Sequence, residues 1–336
     1  MHVPGPARGP AVDSQWTALR AGTRTPPMAR PTTDTQPRLS LRHWIEDRAS
    51  AAVVGAVKLL PYERRVPAMG WFARTVLGPL ALNRRTRANL KHVFPDMPQT
   101  EIRRICCAVA DNFGRSLIEI NSGRAFAERV KDLTPTGPGL MALEQAHAEG
   151  RPVILVSAHF GNYDAWRANL SQRGFRVGGL YMPMTNPATN RRYVATIESI
   201  ASPLFPRGSE GMADMIRFLK SGGMLGLLGD HYMANGELVD FLGKPAWTAT
   251  SAAKMAMKYN ALLVPLYATR TPDGLSFTIE IEAPIPHTDP LTMTKALNDS
   301  ASARVMAHPG QWFWLHRRWK RADGNPRAQK RAARSD

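Results

Sequence analysis

Hydrophobic residues follow two regimes along this chain: helical spacing in the first third, then helical stretches alternating with short apolar runs. From Leu41 the sequence turns apolar. Leu41, Trp44 and Ile45 lead into residues 51–60, where Lys58 is the one charge, and then into residues 69–82 with Trp71, Phe72, Val76 and Leu77. Two apolar helices are predicted there. Residues 98–121 give the clearest amphipathic helix, with Ile102, Ile105, Cys106, Val109, Phe113, Leu117 and Ile118 recurring at three and four, so that one face belongs to a core.

Beyond that helix the pattern predicts helices at 139–149, after Asn162, at 209–221 and at 248–259. Strands are predicted between them at 153–157, 176–181, 224–228 and 262–268, with an alternating, more exposed strand at 275–282. Val153 to Val156 are apolar on both faces, as in a strand covered by helices on two sides. The expected fold is therefore α/β, a mixed and largely parallel sheet flanked by helices, with an N-terminal helical region. No internal repeat is visible. The chain divides into a basic tail (1–40), an N-terminal helical, membrane-associating region (41–121), an α/β body (122–320) and a basic C-terminal tail (321–336). Residues 1–40 are rich in Pro, Arg, Thr and Gly, a composition that cannot repay the entropy of ordering and reads as disorder. They lack the compact apolar centre of a secretory signal, and Met28 within them is an alternative start.

Composition narrows this picture. With 336 residues, 43% of them hydrophobic, the chain can bury a large core without disulfides. A mean hydropathy of -0.29 and the lack of an unbroken apolar run of about 18 residues argue against a polytopic membrane protein. The two cysteines, Cys106 and Cys107, are adjacent, which suits neither a disulfide nor a spaced metal site; both are expected to be reduced and in or near the core. The net charge of +17 is not confined to the tails, because residues 41–316 retain +8 of it. Distributed positive charge attracts nucleic acid, acidic proteins or anionic lipid, and a merely solvated basic surface is the plain alternative. Arg64, Arg65, Arg74, Arg84, Arg85 and Arg87 flank the apolar helices and suit the headgroup zone of a monolayer. Packing of those helices on the body is the other reading, and the two are compatible.

The most informative stretch runs from Val153 to Trp166, where a buried strand passes through a glycine-containing turn into a helix and gathers His159, Gly161, Asn162 and Asp164 at the strand's C-terminal end. Active sites of α/β sheets sit at that edge. The spacing of His159 and Asp164 across a turn lets the carboxylate hold one imidazole nitrogen and leave the other free as a base, with a structural His and a helix-capping Asp as the plain reading. No nucleophile elbow accompanies this base, and Ser209 lacks the strand such an elbow needs, so the base is expected to activate a substrate hydroxyl directly.

His159-Phe-Gly-Asn-Tyr-Asp164 resembles the His-x-x-x-x-Asp/Glu motif of the lysophospholipid acyltransferase superfamily. The resemblance is greater to the lauroyl/myristoyl acyltransferases of lipid A biosynthesis, whose stretch looks like His-Phe-Gly-Asn-Trp-Glu. Further blocks follow in order: Arg87 to Pro95, Tyr181-Met-Pro-Met-Thr-Asn-Pro187, Phe205-Pro-Arg207-Gly, Phe241 to Ala246, Val264-Pro-Leu, and His308-Pro-Gly-Gln-Trp-Phe-Trp-Leu-His-Arg-Arg318. Two positions depart from the family pattern. Asp230-His231 stands where Asp-Gln is usual, and Gly310 replaces a Glu. His231 adds an ionisable group near the site, or is a plain loop residue.

The resemblance implies a glycerolphosphate acyltransferase-like fold and a groove past the His-Asp motif. It implies an acyl-carrier-protein or CoA thioester as donor, with no metal and no cofactor. The acceptor implied is a hydroxyl of an anionic lipid, most directly a lipid A precursor in lipopolysaccharide biosynthesis, with a lysophospholipid or lyso-aminolipid as the alternative. The place implied is the cytoplasmic leaflet of the bacterial inner membrane, the chain being peripheral or anchored by its N-terminal helices. In this reading His159 is the base and Asp164 orients it. Arg207 stabilises anionic charge, Gly161 and Asn162 shape the turn and offer a donor to the oxyanion, and Asp230 orders its loop or binds the acceptor. Three rivals stand beside it: a metal-dependent hydrolase with His159, Asp164, Asp230 and His231 as ligands, a nucleic-acid-binding protein, and a family-like fold without catalysis. No nucleic-acid-binding motif accompanies the charge, so no nucleic-acid partner is expected.

Overall fold

The computed structural model describes residues 41–320; the expected basic tails at 1–40 and 321–336 lie outside the described residues. The helical region opens with α1 (Leu41–Lys58) and continues as a nearly unbroken rod made of α2 (Tyr62–Phe72), a π-helical stretch (Ala73–Leu82) and α3 (Asn83–Val93). Pro79 removes a backbone donor inside the π stretch, and wider winding is one way a helix accommodates such a loss. The long amphipathic helix α4 (Gln99–Asn121) crosses α2 at Gly114, where a Cβ would stand 2.4 Å from the Met69 carbonyl oxygen. Its predicted core face is buried at Ile102, Ile105, Cys106, Val109 and Ile118, whereas Phe113 and Leu117 are half-buried. Both thiols are free; Cys106 is buried, and Cys107, expected in or near the core, faces outward because the preceding helical position holds the stripe.

After α5 (Arg124–Val130) and α6 (Leu140–Ala148) the sheet begins. The elements in order are β1 (Val153–Ser157), α7 (Tyr163–Gln172), β2 (Val177–Tyr181), α8 (Pro187–Ile200), β3 (Leu204–Pro206), α9 (Ser209–Lys220) and β4 (Met224–Leu228). A hairpin follows, β5 (Glu237–Phe241) and β6 (Lys244–Thr248), then α10 (Ser251–Tyr259), β7 (Leu262–Arg270), β8 (Phe277–Ile281) and α11 (Pro290–Ala307). The main sheet has the order β3-β2-β4-β1-β7-β8. Every neighbouring pair is parallel except β7 with β8, so the sheet is mixed and largely parallel, with helices about it. All five residues of β1 are buried, as its apolar run requires.

This order positions the site. Although β1 and β4 are far apart in sequence, they are hydrogen-bonded neighbours, with Leu155 opposite Gly226, so the loops at their C-terminal ends adjoin. The hydrophobic pattern leaves α3, α5, α8, β3, the hairpin and α11 unread. The buried face of α11 is Met293, Thr294, Asn298, Ala301 and Val305, too small and too polar to give a clear period. A local signal is nevertheless present: Asn186-Pro187 and Asp289-Pro290 each pair a capping side chain with proline at the first helical position. Asn186 Oδ1 accepts from the Ala188 and Thr189 amides, and Asp289 accepts from the Leu291 and Thr292 amides.

Tyr62, Val66 and Met69 of α2 share a core with Phe126 and Leu155, so the N-terminal helices pack on the sheet-bearing body. Their outward face is different in kind. Trp44, Ile45, Leu59, Trp71 and Leu80 are exposed, as are the arginines Arg64, Arg74, Arg84 and Arg87. Among the described residues no helix is long and apolar enough to cross a membrane.

Candidate active site

The turn between β1 and α7 is fixed at its glycine. Gly161 has φ +56°, and a Cβ there would stand 1.9 Å from the Ala268 carbonyl oxygen, so the backbone conformation and the space both exclude a side chain. From α4, Asn112 Nδ2 and Ser116 Oγ donate to the Gly161 carbonyl at 3.0 and 2.9 Å, and the Gly161 amide donates to the Gln311 carbonyl at 3.0 Å. Asn162 is fully buried and caps α7: its Oδ1 accepts from the Asp164 amide at 3.0 Å, while its Nδ2 donates to Glu119 at 2.9 Å. The Gly161 amide and the Asn162 side chain are thus committed to the turn itself. Of the expected oxyanion donors, these two groups are used by the tightly packed turn to hold its own shape.

His159 sits at the start of this turn, and its partner is Asp230 from the end of β4. The imidazole Nδ1 lies 2.8 Å from Asp230 Oδ1, and the His159 amide donates to Oδ2 at 3.0 Å. Trp312 Nε1 donates to the same Oδ2 at 2.8 Å. Burial of Asp230 would favour its neutral form, but the adjacent His159 imidazole overrides this and holds the carboxyl far below the usual carboxylate range. An ionised Asp230 can only accept, so Nδ1 of His159 donates to it, and in the neutral ring Nε2 is the nitrogen with the lone pair.

The expected His159–Asp164 pair does not form. Asn162 takes the capping position, α7 starts at Tyr163, and Asp164 comes to face Arg167 one turn on, with contacts of 2.8 Å from Nε and 2.7 Å from Nη2. Both side chains are buried, and Arg167 also donates to the Ala201 and Ile197 carbonyls at the end of α8. Asp164 therefore ties α7 to α8. For the same reason the ligand set His159, Asp164, Asp230 and His231 does not come together.

The C-terminal block, to which the sequence assigned no role, braces the turn. The Phe313 amide donates to the His159 carbonyl at 2.9 Å, and Phe160 pairs with Trp312 as an isolated bridge. Gln311 inserts its side-chain amide into β7, accepting from the Arg270 amide at 2.8 Å and donating to the Arg270 carbonyl at 2.9 Å. Asn89 in turn holds this block by donating to the Trp314 and His316 carbonyls. Arg318, fully buried, donates to Trp247 O at 2.8 Å and Thr248 Oγ1 at 2.6 Å, and burial pulls its pKa down to about 10. Below the turn, Glu119 is buried against Arg270 with an Oε2–Nη2 distance of 2.7 Å.

Two more imidazoles meet His159. His231 stacks on it with ring centroids 4.4 Å apart, His316 meets it edge-on at 4.6 Å, and Nε2 of His231 lies 2.7 Å from Nε2 of His316. Partial burial of the rings, reinforced by His159, pushes His231 down to about 4 and His316 to about 3. The Arg207 side chain is exposed at the groove edge and its charge adds to the lowering at His231; its amide donates to the Tyr181 carbonyl at 2.8 Å. The groove itself has a volume of about 540 Å³. His159, Asp164, Arg207 and Asp230 all line it, and its walls are largely apolar, with Leu180, Met184, Ile197, Leu204, Met212 and Leu227 among them. Such a site can hold an extended apolar chain beside a base.

The sequence of this chain matches the model of the family described as bacterial lipid A biosynthesis acyltransferase over residues 33–321. It is 27% identical over 265 residues to the lipid A biosynthesis lauroyltransferase of Escherichia coli (strain K12), covering 74% of this chain and 85% of the relative. It is 26% identical over 249 residues to a lipid A biosynthesis acyltransferase of Haemophilus influenzae, covering 71% and 76%.

Proposed function

The chain belongs to the bacterial lipid A biosynthesis acyltransferase family, and on that premise we propose that it moves a fatty acyl chain from an acyl-carrier-protein or CoA thioester to a hydroxyl of a lipid A precursor. The observation that carries this reading is the 2.8 Å contact between His159 Nδ1 and buried Asp230 at the edge of an apolar groove. Nε2 of His159 takes the proton of the acceptor hydroxyl as its oxygen attacks the thioester carbonyl. The tetrahedral intermediate collapses with cleavage of the carbon–sulfur bond, and His159 returns its proton to the departing sulfur, which leaves as a thiol. Asp230 keeps the imidazole in the required tautomer and stabilises the imidazolium that forms in between. Trp312 and the His159 amide fix Asp230 in turn.

Donor and acceptor are both acidic. Arg207 at the groove edge and the basic surface suit the headgroup of an anionic lipid and an acidic carrier protein. The exposed apolar face of α1, α2 and the π stretch docks on the cytoplasmic leaflet of the inner membrane, with its arginines among the headgroups. That face is held beside the groove, because Asp47 of α1 pairs with Arg192 of α8 at 2.8 Å and α8 contributes Tyr193 and Ile197 to the groove wall.

The test is acyl transfer by the purified chain in detergent. Labelled acyl-carrier protein or acyl-CoA is offered with a panel of lipid A precursors, lysophospholipids and lyso-aminolipids. Wild type is expected to label a lipid A precursor, and His159→Ala to lose at least about 10²-fold in rate while remaining folded. Labelling of lysophospholipids alone would reassign the acceptor, and transfer that survives in His159→Ala would remove the base.

A further inference from the structure

Three imidazoles converge at the groove from three separate parts of the chain: His159 after β1, His231 after β4 and His316 in the C-terminal block. One ring nitrogen from each lies within 4.8 Å of the other two. A tetrahedral cation bound at about 2.0–2.1 Å holds its nitrogens roughly 3.3 Å apart, so the nitrogens must draw together and His231, which stacks on His159, must turn out of the stack to aim its lone pair at the same point. Two features make the cluster suited to a metal. His159 already offers its outer nitrogen to Asp230, the carboxylate–imidazole arrangement that fixes the tautomer of metal-bound histidines. The 2.7 Å contact between His231 and His316 requires one ring nitrogen to accept, so at least one of the two presents a lone pair. Three imidazoles without a thiolate suit zinc and its neighbours in the first transition row rather than magnesium or calcium. Arg318 and Arg207 oppose a cation here, since both bear positive charge on His231.

We propose that His159, His231 and His316 form a site for a divalent cation of the zinc class, and that occupancy of this site shuts off acyl transfer. Each ring gives the metal one lone pair. The proton shared between His231 and His316 moves to the outer nitrogen of the ring that carried it, His159 keeps its Nδ1 proton on Asp230, and a fourth position is left to water. The metal thereby takes the Nε2 lone pair that the acceptor hydroxyl needs. The inhibition rests on His159 being the base; the binding does not.

The experiment keeps the two apart. The full chain in detergent is titrated with cobalt(II), read by its visible absorption, and zinc is used to displace it; acyl transfer is measured over the same zinc range. Wild type is expected to bind cobalt at micromolar concentration, to lose the band to zinc, and to be inhibited by micromolar zinc, with recovery on chelation and no response to millimolar magnesium. His231→Gln is expected to bind at least about tenfold more weakly and to keep its own metal-free rate at zinc levels that stop wild type. His231→Ala, with the thermal melts of both variants, guards against a folding artefact. Equal binding by wild type and His231→Gln, no binding at all, or activation of chelated enzyme by zinc would each overturn the proposal. If cobalt binds wild type and not His231→Gln while no transfer occurs under any condition, the site stands and the acyl-transfer reading fails.

Discussion

Tryptophan serves opposite ends in two regions of this molecule. Trp312 and Trp314 of the C-terminal block are buried, and their indole N–H groups go to Asp230 and to the Pro309 carbonyl. Trp44 and Trp71 of the N-terminal helices are 50% and 57% exposed. A hydrophobic stretch therefore does not declare itself core by its composition. What separates the two is the partner: in the C-terminal block the rings are locked by rigid neighbours, and Asp230 is held in place as a result. On the N-terminal face the described residues leave the rings exposed, and an amphipathic ring near arginines fits the boundary between lipid and water.

The largest effect that sharpens this contrast comes from the residue the C-terminal block holds. Asp230→Asn presents an amide to the three donors that now converge on it, and the imidazole is left in the wrong tautomer. Turnover is expected to fall about 10³–10⁴-fold in the detergent assay, with vesicle binding unchanged. A variant within tenfold of wild type would send the search for the partner of His159 elsewhere.

Asp164→Ala comes next. It strands Arg167 in the interior and is expected to cost about 3–5 kcal/mol in urea unfolding. Adding Arg167→Met to that variant should restore most of the stability and much of the activity. Activity that stays lost in a stable double variant would give Asp164 a direct part in the reaction.

The smallest effect on the fold is the one that probes the exposed face. Trp71→Ser with Leu80→Ser should leave unfolding within about 0.5 kcal/mol of wild type. Flotation with anionic vesicles should nevertheless fall at least about tenfold, since each large side chain contributes about 1.5–3 kcal/mol when buried in lipid. Undiminished flotation would break the comparison by removing the lipid from the exposed side.

The sequence made the body of the fold legible where periodicity was strong: β1 as an apolar run and α4 as a stripe. It failed at α8, whose buried positions are Ile197 and Ile200 at its last turn, and at α11, where the buried face is largely small or polar; at both the cap-plus-proline signal was what was left to read. His159 was legible as a candidate site residue because it follows a buried strand. Its partner was not, because Asp230 reaches it through the adjacency of β4 and β1, and residue spacing carries no record of sheet order. Asp164 looked closer because it is closer along the chain, but Asn162 starts the helix in a phase that turns Asp164 toward Arg167. The same lack of long-range information hid His316 and the hold of Gln311 and Trp312 on the turn.

That hold comes late in the chain. Along the chain the helices with the exposed apolar residues come before His159, His159 comes before Asp230, and the tryptophan that pins Asp230 follows all of them. A chain cut short before residue 312 keeps His159 and Asp230 and loses the indole that braces them.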